Sequence, residues 1–313
     1  MAATITPNPH IHTTDRVSRT MHYVLLALAP AAFLGVYFFG LQALLVIMIS
    51  IASAVFFEAA FQFLTKKRVT IHDCSAVITG LLLAMTLPPN IPLWLPIVGT
   101  FVAIIIVKHL FGGLGRNFLN PALAGRAFLT LMFMPYMALG FVQPMTDITT
   151  GATPLMALSL GAVPITADYN AAMLGNISGS IGETAAIALL LGGLFLMKAK
   201  IITWHIPASF IGTVFALMMF FQAEVAFYHV LLGGLMLGAF FMATDYPTSP
   251  VAPIGKIIFG VGCGVFTVLF RVFSNFPEGV AYAILIMNLA VPLIDRFVRP
   301  RVYGTKLKGV RYE

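Results

Sequence analysis

The sequence predicts an all-α polytopic membrane protein of about ten transmembrane helices, arranged as two inverted five-helix repeats. Three observations carry this expectation. Of 313 residues, 59% are hydrophobic and only 9% are charged, with a mean hydropathy of +0.96. Soluble domains are about 25% charged. Several apolar runs also reach the roughly 20 residues that cross a hydrocarbon core, and the lysines and arginines collect in alternate loops.

The expected spans cover 21–40, 41–64, 75–87, 91–111, 121–142, 183–199, 201–222, 226–244, 251–273 and 279–297. The first two form one long apolar stretch divided near Gly40. The third is short for a full crossing, and the fifth contains Pro135, which interrupts helical hydrogen bonding. The domain organisation follows. Residues 1–20 are an N-terminal segment, and 21–297 are the membrane domain, with repeat one at about 21–142 and repeat two at about 183–297. A loop at 143–181 joins the repeats, and 298–313 form a basic tail. The polar first twenty residues, with arginines at 16 and 19, carry no cleavage pattern of a secretory signal.

Charge sets the expected orientation. With the N-terminus in the cytoplasm, the inner segments hold 17 of the 18 basic residues, and only Arg271 falls outside. Both termini are then cytoplasmic and 143–181 faces the exterior. The net charge of +7 is explained in this way and does not require nucleic acid. Two cysteines, Cys74 and Cys263, make neither a disulfide framework nor a four-thiolate metal site, and no metal is expected.

The repeat rests on a second pattern. The third span ends in Thr86-Leu-Pro-Pro89-Asn-Ile-Pro92 and the eighth in Thr244-Asp-Tyr-Pro247-Thr-Ser-Pro250. Both read T-x-x-P-x-x-P, each third in a set of five. Because five is odd, the second copy runs upside down and the two breaks fall at opposite faces. Proline-interrupted segments at matching places in inverted halves point to a binding or ion site, making Thr86, Pro89, Thr244, Asp245 and Pro247 candidates for an ion pathway or a ligand site. A plainer reading is that the prolines only stop helices. Glu58, within span two, is expensive in a bilayer. It either pairs with Lys66 two turns on or lies on an ion path.

The joining loop contains "DITTGATPL", residues 147–155, acidic and rich in hydroxyls. As a turn it needs no function, since Gly151 and Pro154 suit one. No histidine base lies nearby, so catalysis by a threonine is not expected. Attachment of a group by a separate enzyme remains open.

Asp147-x-x-Thr150-Gly151-Ala152-Thr153 resembles the D-x-x-[S/T]-G-A-[S/T] site of the flavin transferase that joins FMN to a hydroxyl through a phosphoester. The resemblance implies Thr153 as the acceptor, with Asp147, Thr150, Gly151 and Ala152 as the recognition motif. It extends along the chain. Pro9-His10-Ile11, Leu34-Gly35-Val36-Tyr37-Phe38-Phe39-Gly40, Asn120-Pro-Ala-Leu-Ala-Gly-Arg126 and Gly179-Ser-Ile-Gly-Glu183-Thr184 are similar to the RnfD family, the D subunits of the Rnf electron-transport complex. The B subunit of the sodium-pumping NADH:quinone oxidoreductase is a near relative. It usually carries a longer N-terminal extension, so length favours the Rnf family.

That resemblance implies a redox subunit of an ion-translocating ferredoxin:NAD oxidoreductase in the bacterial cytoplasmic membrane. Its cofactor would be covalent FMN, with a second, noncovalent flavin also open. Its partners would be the other Rnf subunits, both membrane subunits and peripheral ones bearing flavin and iron–sulfur centres, the transferase during maturation, and the lipid bilayer. Glu183 and Thr184 are expected either to cap the sixth span or to contact the flavin. The alternative function is an inverted-repeat transporter or channel with no redox role, for which the flavin motif would be idle.

Overall fold

The computed structural model describes residues 17–67, 70–146, 153–159, 169–183, 185–274 and 278–298. All regular elements among them are helical. Helical bonding runs through α1 (Val17–Leu64), but Gly40 sits at φ 72 and ψ −156, where only glycine rests without strain. Near one end of α1, Ser18 Oγ donates to the His72 carbonyl at 3.4 Å. Near the other, Gln62 Oε1 accepts from the Thr70 backbone N–H at 2.8 Å. Both ends thus meet the same 70–74 segment. The chain folds back at Gly40, producing the first two expected spans.

α2 (Ser75–Met85) has 11 residues, about 16 Å at 1.5 Å per residue. That is roughly half of a 30 Å hydrocarbon core, so the third expected span is a half-crossing. Its side chains are buried all round except at Val77. Pro88 and Pro89 stop it by removing successive N–H donors. Its freed carbonyls are satisfied from the joining segment. Gly182 N donates to Met85 O at 2.8 Å and Ile181 N to Leu87 O at 3.0 Å, while Thr86 Oγ1 donates to Leu83 O at 2.7 Å. A bilayer tolerates broken backbone only where such partners exist.

α3 (Trp94–Phe101) continues as a π-helix over Val102–His109. α4 (Pro121–Met132) starts on Asn120, whose side chain accepts from Ala122 N and Leu123 N, with Pro121 in the first turn. The fifth expected span breaks at Phe133, and Pro135 falls in the first turn of α5 (Met134–Leu139). Two short helices follow, α6 (Pro154–Ser159) and α7 (Tyr169–Leu174). The second half comprises α8 (Ala186–Lys198), α9 (His205–Phe221), α10 (Ala226–Leu231), α11 (Leu235–Leu237, extended by a π-helix over Gly238–Met242), α12 (Pro253–Phe273) and α13 (Val280–Phe297).

Helix length varies widely among the expected spans. Helices α1, α12 and α13 are long and apolar enough to cross, with α1 folded double. The segments 223–231 and 235–242, bent by 59°, pass the same test when taken together as one broken span. The remaining apolar segments are shorter helices that pack between these. Small residues let them approach closely. A Cβ on Gly80 would lie 2.7 Å from Ser50 O, and one on Gly125 would lie 2.7 Å from Gly99 O. This joins α2 to α1 and α4 to α3.

The two proline breaks lie at opposite ends of the bundle. Pro89 and Asn90 border a cavity of about 310 Å³ with Gly40 and Thr146. Thr244, Asp245 and Pro247 border one of about 100 Å³ with Thr20 and Ser75. Thr244 Oγ1 donates to Phe240 O at 2.7 Å, much as Thr86 Oγ1 donates one turn back along its own helix. The breaks therefore do not face one another across a single one of these cavities.

Candidate functional site

Thr153 precedes α6 and accepts a 3.3 Å bond from Met156 N through its hydroxyl oxygen. The residue is only 6% exposed. On one side of it lies a cleft of about 430 Å³, bordered by Gln143, Pro144, Ala157, Asn176, Ile177 and Ser178. This volume falls within the range that holds cofactor-sized molecules. On the other side a narrow chamber reaches Glu183, Gly233 and Glu278. Of the sequence motif, Asp147, Thr150, Gly151 and Ala152 lie outside the described residues, as does Thr184.

Glu183 is not a helix cap. α8 begins at Ala186 and its N-cap is Ala185, whose side chain makes no capping bond. The Glu183 carboxylate instead accepts from Arg126 Nη1 at 2.6 Å, while Arg126 Nη2 donates to Glu278. The Arg126 and Glu183 side chains are 8% and 3% exposed, and Glu278 is 22% exposed. One guanidinium on α4 thus clamps two carboxylates that border the chamber beneath Thr153. A planar guanidinium suits this because it offers separate donor edges.

Gly233 and Gly234, each at φ 65, form the break between α10 and α11. A Cβ on Gly234 would overlap the Glu183 carboxylate, so glycine there serves both the turn and the close approach. The carbonyls freed by the break are capped from α12. Arg271 donates to His229 O at 2.6 Å, Leu232 O at 2.9 Å and Gly233 O at 3.4 Å. This explains the exception in the charge count: Arg271 is buried and bonded, and marks no loop. Arg126 and Lys108 are likewise buried in pairs. Setting these three aside leaves 15 of 18 basic residues, all in segments expected on one face.

At the 70–74 end of the bundle, Glu58 does form an ion pair, but with Lys108 and not with Lys66. Lys108 Nζ donates to Glu58 Oε2 at 2.7 Å and to Ser75 Oγ at 2.7 Å, and Gln62 Nε2 donates to Glu58 Oε1 at 3.1 Å. Lys108 and Ser75 border the same 100 Å³ cavity as Thr244, Asp245 and Pro247. Asp245 itself accepts from Thr248 Oγ1 at 3.3 Å. The structure therefore gathers Asp245, Thr244 and Pro247 at one cavity beside the Glu58 pair, and leaves Thr86 and Pro89 elsewhere.

Sequence reasoning missed Arg126, Glu278, Arg271 and Lys108 as site residues. Arg126 was legible in one respect: it stands in the apolar run PALAGRAFLTL, and an ionisable residue there is functional by default. No local partner was visible, because Glu183 and Glu278 are 57 and 152 residues away. Among the described residues, no cluster of histidine, cysteine and carboxylate could hold a metal ion.

An apolar helical bundle with half-helices, glycine breaks and buried ion pairs defines a polytopic membrane protein. The family model for the NQR2, RnfD, RnfE family matches residues 4–304, and the chain belongs to that family. It is 46% identical to the D subunit of the Na(+)-translocating ferredoxin:NAD(+) oxidoreductase complex of Acetobacterium woodii, covering 97% of this chain and 96% of that one. It is 44% identical to the D subunit of the proton-translocating ferredoxin:NAD(+) oxidoreductase complex of Clostridium ljungdahlii, with the same coverage. The D subunit of the ion-translocating oxidoreductase complex of Stutzerimonas stutzeri is 39% identical over 94% of each chain.

Proposed function

We propose that this chain is the membrane-embedded D subunit of an ion-translocating ferredoxin:NAD oxidoreductase complex, and that it carries FMN as a phosphoester on Thr153. Full-length similarity to relatives so named supports the first part. The placement of Thr153 on the 430 Å³ cleft is the observation that carries the second. The hydroxyl oxygen accepts from Met156 N. That bond uses a lone pair and does not depend on the hydrogen that phosphorus would replace.

When bound, FMN supplies electron transfer, which protein side chains at this site do not. The chain's own residues hold and orient it. Gln143, Asn176 and Ser178 offer polar groups around a cleft otherwise bordered by Pro144, Pro154 and Ile177, the mixture that fixes a ring in one pose. The uneven spread of lysine and arginine supports an exterior Thr153 and cytoplasmic termini. The other subunits of the complex would supply the ferredoxin and NAD chemistry, and a flavin transferase would load Thr153. The buried Asp245 cavity and the adjoining Glu58–Lys108 pair support a path there for the coupled ion, Na+ or H+.

Ultraviolet illumination of the denatured chain on a gel tests the redox assignment. Fluorescence is expected only after expression with the transferase. A dark band under that condition would favour a plain transporter.

A further inference from the structure

We infer that the Arg126 clamp sets the reduction potential of the cofactor on Thr153, an inference that rests on the FMN assignment above. The chamber beneath Thr153 is bordered by both clamped carboxylates, Glu183 and Glu278. Arg126 touches both of them. Arg271 lies directly behind Gly233, which also borders the chamber. Two guanidinium groups and two carboxylates thus stand in near balance on one side of the acceptor residue.

These groups are largely out of water, so their fields are weakly screened. Reduction adds negative charge to a cofactor held at Thr153. The carboxylates oppose that charge and the guanidiniums favour it. A purely structural latch would require the pairing but not the balance. Its loss would not move a potential in opposite directions according to which partner is removed. The charge balance makes that opposite movement the expected behaviour.

The test is a potentiometric titration of the full-length chain, loaded with FMN and purified in detergent, followed by flavin absorbance. Arg126→Gln leaves two carboxylates against Arg271. At a fixed ambient potential its ratio of reduced to oxidised flavin is expected to fall about tenfold. Glu278→Gln removes the more exposed carboxylate, perturbs the fold least, and is expected to raise the ratio by a similar factor. Arg126→Lys keeps the charge and is expected to restore most of the wild-type value. Should Arg126→Gln fail to fold, the sign of the Glu278→Gln shift decides.

A loaded Glu278→Gln chain with an unchanged or lowered ratio would overturn the clamp's role alone. A wild-type chain without the FMN mass increment would overturn the assignment beneath it, and the clamp's role with it.

Discussion

Arg126 on α4 and Glu183 in the segment before α8 meet at 2.6 Å although 57 residues separate them. The contact crosses from the first half of the chain to the start of the second, and the same guanidinium reaches Glu278 further along that half. α4 is also anchored at its other end. Asn120 Nδ2 donates to Met242 O at 3.2 Å, beside the 100 Å³ cavity. α4 therefore lines the cavity at Asp245 through Pro121 and Ala122 and, through Arg126, holds two carboxylates that border the chamber under Thr153.

The Arg271 caps predict a stability effect. Arg271→Met leaves the carbonyls of His229, Leu232 and Gly233 buried without this donor. The chain should lose about 2–4 kcal/mol, read as a lower unfolding temperature in detergent. Arg271→Lys should recover part of it. Unchanged unfolding in Arg271→Met would show that the break holds itself.

The Glu58–Lys108 pair predicts non-additivity. Glu58→Gln or Lys108→Met alone leaves a buried charge unmatched and should cost about 3–5 kcal/mol. Their combination should cost much less than the sum, because neither charge then remains. Additive losses in a double-mutant cycle would contradict a direct pair.

How far these features were legible in the sequence differs by range. Gly40, the Asn120-Pro121 start of α4 and the proline stops after Thr86 and Thr244 are local signals, and each ends or turns an element where the sequence implies. Helix length was less legible. Hydropathy over 75–87 is that of a membrane span because α2 is buried on nearly every face, yet Pro88 and Pro89 end the helix at Met85. Long-range pairing was not legible at all. Lys66 is near Glu58 in sequence, but Lys108 reaches it in space, and Arg126 finds its partners only once both halves are assembled.

Gly234→Ala should disturb the site more than its size implies. Its φ of 65 disfavours alanine, and the new methyl would overlap the Glu183 carboxylate. A loss of about 1–3 kcal/mol is expected, again as a lower unfolding temperature. Wild-type stability in this variant would mean that Glu183 has room to move.

Orientation can be read by labelling. In a chain whose Cys74 and Cys263 are replaced by serine and alanine, Gln143→Cys should react with an impermeant reagent added to intact cells. Lys66→Cys should react only after the membrane is opened, because the basic segments face inward. The reverse pattern would invert the topology and place Thr153 on the wrong face for modification after export.

The central claim is that Thr153 is the FMN acceptor. Intact mass spectrometry of the chain expressed with an active flavin transferase tests it most directly. Wild type should show the FMN increment. Thr153→Val, which keeps the β-branched shape but removes the oxygen, should fold and lack it. Thr146→Val and Thr149→Val, nearby hydroxyl controls, should retain it, and Asp147→Ala should show less through weaker recognition. An increment that persists in Thr153→Val, or is missing from wild type made alongside the transferase, would contradict the account.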